Sequence, residues 1–476
     1  MYIEVITFIG YFTCLLTFTL LYNKAQTSNL DYVMGNRSLN FWLTALSAHA
    51  SDMSSWLFLA YPALLFTTGA KGAWAGIGLV FCMLLNWQFI APKIRTVTEE
   101  LSTVTLSSYF EKRFQDRSGL LRKASALSSF IFYCIYIAAG LVGLGVLSES
   151  LFSINYFIGI SVGLSIVMIY VFMGGYKAIA WVDLIQGFFL LGVILFIPSL
   201  LWMHMGGFKA LDAAAKMKGV SLSLLPSFTP ASLWSSFALK FGWGLGYFGQ
   251  PHIITKFMGI KDVKEIAKSK YVGISWQTLA LGGASMIGIL GIAFFPAGLA
   301  DPETLILSVV KEFLSPFFGA LVLCAILAAT TNVMAAQILV VATSITEDFY
   351  KHLFSTPPTS KEELRASRTS VVVVSLLAFI IAFLKPSSIY QLVFYAWSGL
   401  GGTFGPLLLC CLHTKWITRQ AGLVGIISGA FIGAFWPYFA KVWNWDIPAL
   451  FVVFIVSTLA MYIVSLYTKT PSKQTG

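Results

Sequence analysis

The stretch "SAHASDMSSW", residues 47–56, interrupts a long apolar run with an aspartate and several hydroxyl side chains. The flanks "NFWLTAL" (40–46) and "LFLAYPALLF" (57–66) are typical of a helix that crosses a bilayer. A carboxylate near the centre of such a helix costs about 2.5–3.5 kcal/mol on insertion scales, so it indicates a functional site. Asp52 is expected to neutralise a cation, to pair with a basic residue, or to cap a broken half-helix.

The composition is that of an all-α integral membrane protein. Of 476 residues, 57% are hydrophobic and 11% are charged, whereas a soluble chain of this length needs far more surface charge. Because a crossing takes about 20 apolar residues, the sequence predicts about thirteen transmembrane helices in one membrane domain, 1–476. The predicted spans are 4–22, 40–68, 73–91, 124–147, 156–173, 178–203, 233–255, 272–296, 314–345, 370–384, 390–412, 420–440 and 447–466.

The positive charge has a membrane explanation. Most of the 31 Lys and Arg residues fall on one side of the predicted membrane, with dense clusters at 93–123, 256–270 and 351–368. Cytoplasmic loops carry such an excess, so we expect the N-terminus outside and the C-terminus in the cytoplasm. No basic soluble domain is predicted, so nucleic acid is not an expected partner.

A second interrupted span is "KFGWGLGYFGQPHIITKF", residues 240–257. If spans two to six (about 40–203) and seven to eleven (about 233–412) form two halves, the interrupted spans are the first helices of each half. Five helices per half invert the second half relative to the first, and paired interrupted helices indicate the central site of a secondary transporter. The alternative is that these glycines only allow close helix packing.

Several further side chains could serve such a site. Trp243 and Tyr247 share one helix face and could form an aromatic wall for a small apolar ring, although ordinary packing is the alternative. Tyr136 places a hydroxyl deep in the fourth span. Asp183 falls near a predicted helix end, where a structural role is as reasonable as a functional one.

Four strings together resemble the sodium/solute symporter family, and within it the bacterial proline-transporting branch: "SAHASDMSSW", "GWGLGYFGQPHI", "AILAA…Q…SITEDFYK" and "YAWSGLGGTFGP". The likeness follows the chain in order over nearly its whole length. It implies a thirteen-helix protein with a five-plus-five inverted-repeat core. It also implies uptake of L-proline coupled to sodium by alternating access, in a bacterial inner membrane.

The resemblance also implies roles for individual residues. It makes Asp52 essential for sodium coupling and places the carbonyl oxygens of Ala50 and Met53 around the ion. The remaining residues to which it gives roles are Ser54, Tyr136, Trp243, Tyr247 and Pro251 in the substrate site, and Arg37 and Asp183 in coupling.

The ninth span departs from the family pattern. The small residue of the sodium site matches Ala329, but the Ser and Thr expected three and four positions later are Asn332 and Val333. An amide oxygen suits a hard cation, whereas valine has no side-chain oxygen. Either sodium binds through Asn332 and backbone carbonyls, or protons drive transport with His49 or Asp52 titrating. His49, which also departs from the pattern, is otherwise a neutral hydrogen-bonded residue, and uncoupled exchange is a third possibility.

Other function classes fit the sequence less well. A channel is expected to show pore-loop repeats or rings of like charge, and a membrane sensor is expected to carry a signalling domain. No zinc-protease motif, nucleophile elbow or phosphate-binding loop indicates an enzyme. The expected partners are therefore a small-molecule substrate and the lipid bilayer, with no obligate protein partner.

Overall fold

The computed structural model describes residues 2–22, 28–152, 154–225, 229–234, 240–353, 357–385, 387–445 and 447–468. Within them the fold is all-helical, as predicted, and a single bridge between Leu39 and Ile260 is the only extended pairing. The helices are α1 (Tyr2–Tyr22), α2 (Asn29–Met34), α3 (Phe41–Ala50), α4 (Ser55–Phe58), α5 (Ala60–Thr68), α6 (Ala73–Leu85), α7 (Ala91–Glu100), α8 (Leu106–Arg113), α9 (Leu120–Phe152), α10 (Tyr156–His204), α11 (Phe208–Lys218), α12 (Pro230–Leu233), α13 (Pro251–Met258), α14 (Ile266–Phe294), α15 (Leu305–Phe313), α16 (Pro316–Ser344), α17 (Ser360–Phe383), α18 (Ile389–His413), α19 (Arg419–Trp443) and α20 (Ala449–Thr468).

Nine helical segments in the described ranges are long and apolar enough to cross a bilayer. One of them, Ser55–Glu100, runs through several consecutive helices, and Tyr156–His204 contains a non-helical residue at Gly175. Gly175 has a positive φ of 60° and lies between the predicted fifth and sixth spans. The count of thirteen crossings and the boundaries of the two repeats therefore stay predictions.

The tenth predicted span differs from the structure, and the seventh falls partly outside the described residues. The tenth span was predicted at 370–384, but α17 begins ten residues earlier, at Ser360. Thr359 and Glu362 form a capping box that starts the helix there, although charged residues follow in its first turns. The seventh was predicted at 233–255, and its residues 235–239 lie outside the described ones.

The first interrupted helix is broken where the sequence predicts. Asn40 caps α3, accepting from the Leu43 amide at 2.9 Å, and α3 ends at Ala50. After the non-helical Asp52 and Met53, the Ser54 hydroxyl accepts from the Trp56 amide at 3.2 Å and starts α4. A side-chain cap at each new start satisfies amides that the break leaves without helical partners.

The second interrupted helix has the same character. Phe241–Gly249 forms a 3-10 helix, Gln250 is extended, and Pro251 occupies the first turn of α13, where a missing N–H costs nothing. The ends of the two broken helices are joined, because the Leu39 amide donates to the Gly259 carbonyl at 3.2 Å and the Lys261 amide donates to Leu39 at 2.8 Å.

Glycines let α18 approach the 3-10 helix closely. A Cβ on Gly401 would lie 2.5 Å from the Cα of Gly246, and a Cβ on Gly246 would lie 2.0 Å from Nε1 of Trp397. The glycines of both strings therefore serve close packing, which was the alternative interpretation, and this packing carries Trp397 to the break in the second helix.

Candidate functional site

The two breaks meet through one hydrogen bond. The Tyr247 hydroxyl donates to Oδ2 of Asp52, and Nε2 of Gln277 on α14 donates to the same hydroxyl at 2.8 Å. Asp52 is 8% exposed and Tyr247 and Gln277 are fully buried, so the carboxylate sits in a low-dielectric interior with polar partners. Gln277 was missed by the sequence analysis because nothing in α14 marks it.

His252 and Tyr133 lie on the other side of the carboxylate. Nε2 of His252 is 4.0 Å from Oδ1 of Asp52, and Nδ1 lies 3.0 Å from the Tyr133 hydroxyl. The backbone amide of His252 also donates to that hydroxyl at 2.9 Å, which fixes α13 against α9. His252 stands next to the predicted Pro251 in the sequence, but it is the histidine that reaches Asp52.

A narrow cavity lies beside Asp52. Aromatic rings form its wall. The ring centroids of Trp56 and Trp243 are 5.3 Å apart, and those of Tyr247 and Trp397 are 5.0 Å apart in an edge-on arrangement. The indole N–H of Trp397 donates to the backbone carbonyl of Trp243 at 2.9 Å, which fixes the orientation of the Trp397 ring. The lining residues are Asp52, Met53, Ser54, Trp56, Leu79, Tyr136, Trp243, Tyr247, Val393 and Trp397.

Of the five predicted substrate residues, four line this cavity and one does not. Ser54, Tyr136, Trp243 and Tyr247 are brought together there. Pro251 instead starts α13 and lines a different cavity, so the structure separates it from the other four. The sequence places Pro251 one helical turn from Tyr247, but the extended Gln250 turns the chain away.

Among the described residues, Asn332 carries a buried side-chain amide with unsatisfied hydrogen-bonding atoms. Its side chain is 1% exposed, and neither Oδ1 nor Nδ2 makes a hydrogen bond within the described residues. Leaving such a group unsatisfied costs about 1–3 kcal/mol, so a cation ligated by Oδ1 would offset part of that cost. α16 packs against α3 and α4, the segments that end and restart around Ala50 and Met53. α16, which carries both Ala329 and Asn332, therefore lies against the first break.

The neighbouring threonines are engaged elsewhere. The hydroxyl of Thr330 donates to the Ile326 carbonyl and that of Thr331 to the Leu327 carbonyl, each at 2.8 Å. Both hydroxyls are thus turned back on their own helix.

Asp183 is fully buried on α10, about two turns after the break at Gly175. It accepts from the Ser47 hydroxyl at 2.5 Å and pairs with Nζ of Lys256 at 3.1 Å, and Lys256 also donates to Ser47 at 2.7 Å. Lys256 is only 2% exposed, although its sequence position places it in a cationic loop cluster. The continuation of α13 buries it, one turn beyond His252.

Arg37 lies outside the cavity and binds backbone oxygens. Its guanidinium donates to Met258 at 2.7 Å, to Thr103 at 2.8 Å and to Thr98 at 3.0 Å. It therefore joins the end of α13 to the α7–α8 connection, and it does not pair with Asp52.

His49 is also held away from the cavity. The indole N–H of Trp87 donates to Nε2 of His49 at 3.0 Å, and the ring lies against Trp276. An indole nitrogen only donates, so Nε2 acts as an acceptor and carries no proton in this arrangement. His49 is thus a neutral packed side chain.

Two broken helices that meet at a buried carboxylate beside a closed aromatic cavity define a secondary membrane transporter. The chain matches the Sodium:solute symporter family over residues 32–429. It is therefore a member of the sodium:solute symporter family, a multi-pass membrane transporter and not an enzyme.

The relatives and solved structures agree with this assignment. The chain is 37% identical over 455 residues to the high-affinity proline transporter PutP of Bacillus subtilis, covering 94% of this chain and 95% of the relative. It is also 37% identical to a sodium/proline symporter of Staphylococcus aureus, covering 97% and 92%. A substrate-bound, outward-open Na⁺-coupled sialic acid symporter shares the fold, with a TM-score of 0.83 at 18% identity and 99% coverage of both chains. Mhp1, a nucleobase-cation-symport-1 family transporter, reaches a TM-score of 0.53 at 14% identity, covering 94% and 97%.

Proposed function

We propose that this chain takes up L-proline together with sodium by alternating access. The observation that carries the proposal is the Asp52–Tyr247 hydrogen bond at the edge of an aromatic cavity. The bacterial relatives are named for proline and, in one case, for sodium, which supports the same substrate pair.

The cavity suits a small zwitterion with an apolar ring. The faces and edges of Trp243, Trp56 and Trp397 provide an apolar wall that also tolerates an adjacent cationic nitrogen. Asp52 and Ser54 supply polar atoms at one end of the same cavity. The aliphatic side chains Leu79 and Val393 add apolar surface for such a ring.

The cation is proposed to lie between α16 and the first break. Asn332 would supply the amide oxygen, with backbone carbonyls of Ala50, Met53 and Ala329 completing the shell of a hard cation. One positive charge moving inward gains about 2.3 kcal/mol per 100 mV, and zwitterionic proline adds no net charge, so the ion supplies the electrical drive. For the proton alternative, His49 is held by Trp87 away from the cavity, so Asp52 is the predicted carrier that lies there.

The proposed setting is a bacterial inner membrane with the N-terminus outside. The loops that carry the clusters at 93–123 and 351–368 would then face the cytoplasm, as the excess of Lys and Arg requires.

The test is a competition assay with purified protein in liposomes. Labelled proline uptake under a sodium gradient is measured with an excess of each unlabelled amino acid, in the wild type, Trp243→Ala and Trp443→Ala. Trp443 is half-exposed on α19 and serves as the matched control. We expect competition by proline alone among common amino acids and loss of uptake only in Trp243→Ala. Strong competition by an unrelated solute, or equal loss in both variants, would contradict the substrate assignment.

A further inference from the structure

A second, small cavity lies between α9, α13, α16 and the segment that starts α8. Most of its lining side chains carry hydroxyl groups, and none of the described lining residues is basic. The hydroxyl-bearing residues are Thr105, Ser107, Ser129, Thr255, Thr343 and Ser344. Oxygen donors without a positive side chain suit a cation and offer nothing to the carboxylate of a zwitterion.

A fully buried carboxylate lies behind two of these hydroxyls. Asp348, in the helical turn that follows α16, accepts from the Thr105 hydroxyl at 2.9 Å and from the Ser344 hydroxyl at 2.6 Å. The nearby Arg122 forms an ion pair with Glu111 at 2.7 Å. Its Nε–H donates to the backbone carbonyl of Asp348 at 3.1 Å and not to the carboxylate. The polar side chains that line the cavity are therefore hydroxyls, two of which are bonded to the Asp348 carboxylate behind them.

One layer of side chains separates this cavity from the one beside Asp52. Pro251 and Thr255 line the second cavity, while His252 between them in the chain points to Asp52. Tyr133, bonded to His252, lies one helical turn from Ser129 on α9. Nε2 of His252 makes no hydrogen bond within the described residues. This nitrogen is therefore available to contact a cation that moves between the two cavities.

A buried amide continues this polar route along α16. Gln337 lies two turns before Ser344 on the same face, and neither of its amide atoms is bonded within the described residues. We propose that the second cavity is an inward binding site for the transported monovalent cation, held by the hydroxyls and by Asp348 after it leaves the first cavity. This inference rests on the proposed function and assigns an exit site that the first cavity does not contain.

The test compares the two faces of the membrane. Initial rates of labelled proline uptake are measured against sodium concentration in right-side-out and inside-out membrane vesicles. The variants are Asp348→Asn, which keeps the shape but removes the charge, and Thr343→Val, which removes a lining hydroxyl. Asp116→Asn is the matched control, because Asp116 pairs with Arg419 at 3.2 Å outside the cavity.

We expect Asp348→Asn to raise the half-saturating sodium concentration about tenfold at the cytoplasmic face, which inside-out vesicles expose. At the outer face, which right-side-out vesicles expose, we expect a shift of less than about twofold. Thr343 lines the cavity, and its hydroxyl gives its hydrogen to the Leu339 carbonyl at 2.7 Å while the oxygen keeps lone pairs for a cation. Thr343→Val should therefore give a smaller shift at the cytoplasmic face. Equal shifts at both faces, or none in either variant, would overturn the inference, because a merely structural defect has no sidedness. Wild-type vesicles that take up no proline would contradict the proposed function itself, which is a separate outcome.

Discussion

The Tyr247 hydroxyl donates its hydrogen to the Asp52 carboxylate, so the break in one helix is joined to the break in the other. Tyr247 belongs to the 3-10 helix Phe241–Gly249, and Asp52 to the non-helical turn after α3. The aromatic cavity and the carboxylate are thereby linked through one side chain, so a change in the cavity can alter the hydrogen bonding of Asp52.

Tyr247→Phe removes that link while preserving the ring. Hydrogen bonds to charged groups contribute about 1.5–3 kcal/mol, so we expect the sodium-driven uptake rate at low proline to fall at least about tenfold. Tyr395→Phe is the control, because its hydroxyl binds the Ala434 carbonyl away from the cavity. Equal uptake by Tyr247→Phe and the wild type would remove the hydrogen bond from the mechanism.

Asn332→Ala should weaken sodium without abolishing proline binding. We expect its half-saturating sodium concentration to rise at least about tenfold, because an oxygen ligand is lost, while uptake at saturating sodium is largely kept. The matched control is Thr330→Val, which loses a hydroxyl that is already bonded to its own helix. The measurement is the sodium dependence of uptake. If the half-saturating sodium concentration rises in Thr330→Val and not in Asn332→Ala, the ion is not bound by Asn332.

Lys256→Met and Asp183→Asn should each destabilise the protein, since each leaves a buried charge without its partner, at a cost of about 3–5 kcal/mol. The double variant should recover much of the loss, because both charges are gone. Thermal unfolding of the purified protein measures all three. A double variant as unstable as the sum of the singles would show that the ion pair is not the stabilising element.

Gly246→Ala should prevent the close approach of α18 to the 3-10 helix, because the added Cβ would lie 2.0 Å from Trp397. We expect loss of transport together with a lowered melting temperature. Gly282→Ala on α14, where no atom lies within 4 Å of the new Cβ, should behave as the wild type. Normal transport by Gly246→Ala would mean that the packing at this contact is unimportant.

The sequence predicts the elements that place the site, because breaking a membrane helix leaves visible signals. Asp52 among serines and Pro251 after glycines mark the two breaks. Asn332 could also be singled out, since an amide stands where the family has a hydroxyl.

The remaining site residues depend on contacts that no local pattern records. Lys256 reads as part of a cytoplasmic cluster because its partner Asp183 is distant in the chain, and only the fold brings them together. Gln277 and Tyr133 likewise acquire their roles from helices that cross at the break. Pro251 was assigned to the substrate cavity by resemblance, but the extended Gln250 places it on the other side of His252.

The most direct test of sodium-coupled proline transport uses liposomes under three drives: a sodium gradient, a proton gradient and no gradient. Labelled proline uptake is measured for the wild type, Asp52→Ala and Asn332→Ala. The account predicts accumulation in the wild type under the sodium gradient alone, none by Asp52→Ala, and strongly reduced uptake by Asn332→Ala at low sodium. Accumulation under the proton gradient that is indifferent to sodium would contradict it and make the altered ninth span the mark of a different coupling ion.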